Sequence, residues 1–313
     1  MARIRRRDAE AVAVFPARFL IRRWGSFDVL IRLVGLVTIE HEGEPPRHLS
    51  SAQAQVAFAR LVLERSAGTS RDQLADTLWP QGLPDTWASA LRSVVSRVRA
   101  FVTSEGQKPG ETPLIAQSGR YLLHLPGDAV TDLEAAEAAV SEARQACRDR
   151  AHAVAQQLAT GAVANLRGSF LPAHEGDWVN TTRERIDELR LTALELASVS
   201  AAALGNGHHA LRYADEAVRR APFRESAHRC QMAAHAAAGN RADALRVYQQ
   251  LRELLSDELG IGPSPRTQSL YLDLLREPGP QGPLAPDPAV EEAAAALDPL
   301  LMAAFDALWP PAA

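Results

Sequence analysis

A 34-residue repeat in the second half of the chain constrains its fold more than any other feature. Gly205-Asn206 recurs as Gly239-Asn240, and Ala210-Leu211-Arg212 recurs as Ala244-Leu245-Arg246. This is the period of tetratricopeptide helix pairs, in which small residues allow neighbouring helices to stack. Two repeats are fewer than a free-standing array needs, so helices near 133–158 and 178–204 are predicted to complete the bundle.

The first half of the chain has a different pattern. Residues 31–41 alternate and contain many β-branched residues, which favours strands. A Ser70-x-x-Gln73 spacing predicts a capping box at the start of a helix. The predicted elements are strands within 31–41, helices at 51–65, 70–79 and 86–102, and a hairpin with strands at 114–117 and 121–125 around a Ser118-Gly119 turn. This order is the outline of a winged helix-turn-helix.

The predicted helix at 86–102 has two unlike faces. An apolar stripe is formed by Leu91, Val94, Val95, Val98 and Phe101 at helical spacing. The outward positions include Ser89, Arg92, Ser93, Ser96, Arg97 and Arg99. No acidic residue lies between residues 88 and 102. Such a face suits the major groove, where arginine binds guanine or phosphate and serine allows close approach. The same pattern also fits an ordinary arginine-rich surface helix.

Charge is distributed unevenly along the chain. Residues 1–26 contain seven arginines and two acids, residues 27–126 contain ten basic and ten acidic residues, and residues 127–313 contain 17 basic and 26 acidic residues. A polyanion should therefore meet the N-terminal half. The arginines of residues 1–26 either reach a DNA backbone or belong to a disordered tail. Since residues 27–126 carry no net charge, dimerisation or a partner should contribute to any tight binding of nucleic acid.

The sequence contains none of the common enzyme motifs. It has no glycine-rich phosphate loop, GxSxG elbow, HExxH pair or CxxC pair, so neither catalysis nor a cofactor or metal is predicted. Cys147 and Cys230 are predicted to be buried free thiols, and His208-His209 to lie in a solvated turn. No apolar run has the length of a membrane span, and the N-terminal segment lacks the features of a secretory signal. A cytoplasmic protein without membrane contact is expected.

A series of short motifs keeps its order and spacing over about residues 31–275. In the first half they are Arg32-Leu33-Val34-Gly35, Leu49 with Gln53, Leu74-Ala75 with Leu78-Trp79, Val95-Ser96-Arg97-Val98-Arg99, and Gly119-Arg120-Tyr121-Leu122. In the second half they are Trp178, the run from Arg183 to Arg190, and Tyr248, Leu251, Leu255, Glu258-Leu259-Gly260-Ile261 and Pro263-Ser264-Pro265. Together they resemble the Streptomyces antibiotic regulatory proteins (SARPs), which join an OmpR-type winged helix to a bacterial transcriptional activator domain of tetratricopeptide-like helices.

The resemblance implies roles for particular residues. Ser93, Arg97 and Arg99 match recognition-helix positions that contact bases or phosphates, and Arg120 matches a wing tip that approaches the minor groove. With the helix pattern, the candidate DNA-binding residues are Arg92, Ser93, Ser96, Arg97, Arg99 and Arg120. The loop that meets RNA polymerase in this class matches Pro80, Gln81, Gly82, Leu83, Pro84 and Asp85. Val94 replaces a usually polar position, which favours either contact with a thymine methyl group or tighter packing.

The expected fold is mainly α with a small β component, a winged helix-turn-helix followed by a tetratricopeptide-like all-α domain. The predicted domains are a basic extension at 1–26, a winged helix at 27–127, a bacterial transcriptional activator domain at 128–276, and a proline-rich linker with a short C-terminal helix at 277–313. That helix would dock on the bundle or on a partner.

The resemblance implies a sequence-specific transcription activator of a secondary-metabolite (antibiotic) gene cluster. It would bind direct repeats in double-stranded promoter DNA, self-associate there and recruit RNA polymerase holoenzyme. The alternative is a helical-repeat adaptor for protein interactions whose winged helix does not bind DNA.

Overall fold

The computed structural model describes residues 29–41, 43–103 and 113–276. The basic extension at 1–26 and the linker and C-terminal helix predicted for 277–313 lie outside these residues. No helix in the described ranges is both long enough and apolar enough to cross a membrane.

In the described part of the N-terminal half there are three helices and two small sheets. In chain order the elements are β1 (Val29–Arg32), β2 (Thr38–His41), β3 (Arg47–His48), α1 (Ala52–Leu63), β4 (Thr69–Ser70), α2 (Arg71–Leu78), α3 (Trp87–Val102), β5 (Leu114–Gln117), β6 (Arg120–Leu123) and β7 (Val130–Thr131). One sheet has the strand order β3-β2-β1-β7 with β7 parallel to β1, and the other has the order β4-β6-β5. The predicted winged helix-turn-helix is confirmed.

Local sequence signals account for the ends of these elements. The predicted capping box is present, because Gln73 N donates to Ser70 Oγ (3.1 Å) and Ser70 N donates to Gln73 Oε1 (2.9 Å). Ser118 (φ +50°) and Gly119 (φ +75°) form the two-residue turn between β5 and β6. Positive φ at both positions is the requirement of the hairpin turn whose twist matches its strands. The hairpin, called the wing below, therefore follows the sequence prediction.

After β7, the regular elements in the described second half are helices, apart from an isolated antiparallel bridge between Val34 and Phe170. Its helices are α4 (Asp132–Arg148), α5 (His152–Asn165), α6 (Asp177–Ala203), α7 (Gly207–Arg220), α8 (Glu225–Ala237), α9 (Arg241–Leu259) and α10 (Pro265–Arg276). The repeat places α7 with α8 and α9 with α10 as successive pairs, and fully buried alanines such as Ala210, Ala214 and Ala244 allow them to pack closely. The tetratricopeptide-like prediction is confirmed, although the helix expected at 133–158 is two helices that meet at Arg150 (φ +57°).

The two halves share one apolar core. The largest cluster of buried side chains runs from Ile31 and Phe58 through Leu133 to Leu196. At this junction the buried carboxylate of Asp132 accepts hydrogen bonds from the amides of Leu33 and Val34, both at 2.9 Å. Because β7 extends the N-terminal sheet directly into α4, the winged helix and the first helices of the bundle pack around a common core. Helices α8, α9 and α10 contribute to a separate, smaller cluster.

Candidate nucleic-acid interface

Helix α3 is held firmly by its apolar face. Leu91, Val95 and Val98 are buried, and the ring of Phe101 packs edge-on against that of Phe58 in α1, with ring centroids 5.2 Å apart. Arg47 donates to the carbonyl oxygens of Ala100 (3.3 Å) and Thr103 (3.1 Å), which satisfies acceptors at the C-terminal end of the helix. The outward face of α3 is therefore presented on a rigid support.

That outward face carries the predicted arginines and serines. Arg92, Ser93, Ser96 and Arg97 are exposed, and within the described ranges Arg97 Nη1 donates only to Ser51 Oγ, at 3.3 Å. Arg99 lies on another side of the helix, where it is half-buried and donates to the carbonyl of Leu114 (3.2 Å). Among the described residues, no carboxylate forms an ion pair with any of these arginines. The positive charge of this face is not neutralised within the described chain.

The structure decides between the two interpretations of Val94. Its side chain is only 1% exposed and belongs to the core beneath α3. Contact with a thymine methyl group, one of the two expectations, is excluded in this conformation because the side chain faces the protein interior. Tighter packing is the correct interpretation.

The wing is attached to the start of α2 and does not stand free. β6 pairs with β4, so Tyr121 lies opposite Thr69 and Arg120 opposite Ser70. Arg120 Nη1 donates to the carbonyl oxygens of Gly68 (3.0 Å) and Ala67 (3.4 Å). The Arg120 side chain therefore lies over the turn between α1 and β4.

One arginine near this surface is not among the sequence-predicted candidates. Arg71, the first residue of α2, donates its backbone N–H to Gly119 O in the wing turn (3.1 Å), and its guanidinium stacks on the ring of Trp87 in α3 at 4.7 Å. A cleft of about 430 Å³ brings Arg71 together with Arg92, Arg99 and Arg120. The capping box locates Arg71 in a first helical turn, but its approach to α3 and the wing depends on the pairing of β4 with β6.

The loop between α2 and α3 is the predicted polymerase-contact segment. Pro80, Gln81, Gly82, Leu83, Pro84 and Asp85 are all exposed. The Leu83 side chain is 47% exposed. The ends of the loop are fixed by backbone hydrogen bonds from Gly82 N to Trp79 O (3.1 Å) and from Trp87 N to Pro84 O (2.8 Å). The loop is a defined protrusion beside α3.

The remaining candidate groups lie apart from this surface. His208 and His209 are exposed, as expected, but they lie in the first turn of α7 and not in the preceding turn of the chain. In the described parts of the chain, no three His, Cys, Asp or Glu side chains gather in a way that could hold a metal ion. Cys147 and Cys230 are buried free thiols, as predicted.

Comparison with known proteins supports this organisation. The family model of the bacterial transcriptional activator domain matches residues 131–275. Regulatory protein AfsR of Streptomyces coelicolor is 30% identical over 250 residues, covering 79% of this chain and 23% of AfsR. Regulatory protein DnrI of Streptomyces peucetius is 28% identical over 255 residues, covering 80% of this chain and 93% of DnrI. The chain thus spans less than a quarter of the length of AfsR but nearly all of DnrI.

A solved structure has the same fold. Mycobacterium tuberculosis EmbR, determined in complex with a low-affinity phosphopeptide, superposes with a TM-score of 0.72 at 22% sequence identity, covering 88% of this chain and 69% of the EmbR chain. The winged helix and helical bundle are therefore arranged as in a known regulator. The chain therefore contains the bacterial transcriptional activator domain, and its similarity to AfsR and DnrI supports the resemblance to the family of Streptomyces antibiotic regulatory proteins.

Proposed function

We propose that this protein is a sequence-specific DNA-binding transcription activator. Two or more copies bind direct repeats in a promoter, with α3 in the major groove and the wing at the adjacent minor groove. The proposal depends on one observation: the exposed face of α3, with Arg92, Ser93, Ser96 and Arg97, is cationic, rigidly supported and free of ion pairs with the described carboxylates. Such a face can bind phosphates and base edges without first breaking internal bonds to acids.

The target genes and protein partners are proposed from the relatives. AfsR and DnrI are named as regulatory proteins of Streptomyces. The resemblance to the Streptomyces antibiotic regulatory proteins supports a secondary-metabolite (antibiotic) gene cluster as the target. The exposed loop from Pro80 to Asp85 contacts RNA polymerase holoenzyme, with Leu83 as its apolar centre. The helical bundle, which is acidic in net charge, supplies contacts between copies on DNA.

Arg97 provides the sharpest test because its only described bond is to the hydroxyl of Ser51. Arg97→Ala should keep the helical content and melting temperature of the parent protein. If Arg97 makes a bidentate contact with guanine, its loss costs about 1–3 kcal/mol, or roughly a 5- to 150-fold weaker affinity for the specific site. The measurement is a mobility-shift titration on duplexes from the promoters nearest the gene, at two salt concentrations.

Arg148→Ala is the matched control. Arg148 is an exposed helical arginine in α4 whose bonds, like that of Arg97, go to a neutral side chain, in this case Gln145. Its removal should leave the affinity unchanged. Parental binding by Arg97→Ala would refute α3 as the recognition helix. If the parent protein itself shifts no duplex at micromolar concentration, the adaptor alternative is favoured, in which the winged helix binds protein.

A further inference from the structure

The cleft between α3 and the wing is lined by four arginines and by no acid among the described residues. Arg71, Arg92, Arg99 and Arg120 surround it, and Val95 and Tyr121 contribute apolar surface. Its volume of about 430 Å³ is in the range of sites that hold small groups. Four guanidinium groups near one another repel each other, so an anion in the cleft would relieve an unfavourable charge arrangement.

Neutral groups hold three of these arginines in place. The Arg71 guanidinium lies over the Trp87 ring at 4.7 Å, Arg99 Nε donates to Leu114 O, and Arg120 Nη1 donates to Gly68 O. A guanidinium has five N–H donors, so one or two bonds to carbonyl oxygens leave several donors and the full charge for a ligand. The side chains are therefore oriented before a ligand arrives, which lowers the entropy lost on binding.

A second cleft shows that clustered arginines alone do not make an anion site. It has a volume of about 530 Å³ and lies in the helical bundle, lined by Arg183, Arg190 and Arg220. Arg183 donates to three carbonyl oxygens between residues 170 and 174, while Arg190 and Arg220 pair with Asp187 and Glu216. These arginines hold the chain together, and their charge is largely neutralised. The four-arginine cleft differs because its lining contains no acid.

We propose that the four-arginine cleft binds phosphodiester groups of the DNA strand that separates the two grooves, with Arg71 and Arg92 as the direct phosphate ligands. The inference depends on the proposed function: if α3 occupies a major groove and the wing approaches the next minor groove, the strand between those grooves must cross the space between them. That space is the cleft. Arg71 is thus assigned to DNA binding although it belongs to neither the recognition helix nor the wing.

The test is the salt dependence of binding to a random-sequence duplex, which reports phosphate contacts alone. Arg71→Ala should make the slope of log K against log salt less negative by about 0.9, the value for one lost phosphate contact. It should weaken binding to random and promoter duplexes by the same factor, so the specificity ratio stays constant. Arg71→Lys, which keeps the charge, should restore most of the slope.

Arg212→Ala is the matched control, since Arg212 also stacks on an aromatic ring, that of Tyr213 at 5.0 Å, but lies in the helical bundle. The slope of log K against log salt for Arg212→Ala should equal that of the parent protein. Arg92→Ala is a second probe, because Arg92 is exposed and its loss should not affect folding. If both Arg71→Ala and Arg92→Ala keep the parental slope while the parent binds DNA, the cleft proposal is wrong and the proposed function stands. If the parent binds neither duplex, both proposals are wrong.

Discussion

Asp132 is expected to make the stability of this protein depend on pH. Its carboxylate is fully buried at the junction of the two halves, and burial raises its pKa from the ordinary 3.8 to about 6, despite opposing hydrogen bonds from the amides of Val34 and Leu33 and the nearby charge of Arg32. The native protein therefore binds this proton more tightly than the unfolded chain does. The contribution of Asp132 to the free energy of unfolding should fall as pH rises from about 4 to about 6, and then stay nearly level.

The size of the effect follows from the two pKa values. A difference of roughly two units corresponds to about 3 kcal/mol over the full titration, of which about 2 kcal/mol falls between pH values of about 4.5 and 7.5. Asp132→Asn cannot ionise and keeps one oxygen that can accept from the Leu33 and Val34 amides. The difference in unfolding free energy between parent and variant should thus shift by about 2 kcal/mol in favour of the variant over that range.

Urea unfolding followed by tryptophan fluorescence at several pH values measures this difference. Asp257→Asn, at an exposed position in α9, is the control. Its difference in unfolding free energy from the parent protein should not change with pH. Asp132→Ala should be the most damaging variant, because it leaves three buried amide N–H groups, those of Leu33, Val34 and Leu133, without their acceptor, at about 1–3 kcal/mol each. If the difference in unfolding free energy between the parent protein and Asp132→Asn stays constant with pH, the assignment of a raised pKa to this carboxyl group is refuted.

Two further predictions concern packing and burial. Gly68→Ala should destabilise the protein by about 1–3 kcal/mol more than Gly205→Ala, measured by urea unfolding, because overpacking adds to the strain of a left-handed residue. Both glycines have positive φ, but a Cβ at Gly68 would lie 2.5 Å from a methyl carbon of Leu122, whereas a Cβ at Gly205 would meet nothing within 4 Å. Equal losses would show that the turn beside the wing is not tightly packed. Burial raises the pKa of Cys147 to about 12 and that of Cys230 well above its ordinary value, so neither thiol should react with iodoacetamide in the native protein. Intact mass spectrometry should show two added groups only after unfolding, and rapid native labelling would contradict their burial.

Much of the interface could be predicted from local sequence, because its signals are local. The alternation of Arg and Ser with an apolar stripe specified both faces of α3, and the Ser70 and Gln73 spacing located the start of α2. The 34-residue recurrence predicted the helix pairs of the second half. Each of these patterns can be recognised from the spacing of residues along the sequence. No contact between distant segments is needed to recognise it.

Contacts between distant segments could not be predicted in this way. Val94 was open to two interpretations until its burial in the core beneath α3 showed which way it faces. The grouping of Arg71 with Arg92 and Arg120 requires β4 to pair with β6, and nothing in the residues around Arg71 indicates that pairing.

The sequence by itself determined where helices α1, α2 and α3 begin and which of their faces are apolar or cationic, since periodicity and capping act over a few residues. Only the tertiary structure decided that Asp132 joins the two halves through the Leu33 and Val34 amides, and that four arginines from three elements surround one cleft. Both depend on contacts between residues that are tens of positions apart in the sequence. The packing of the elements determines those contacts.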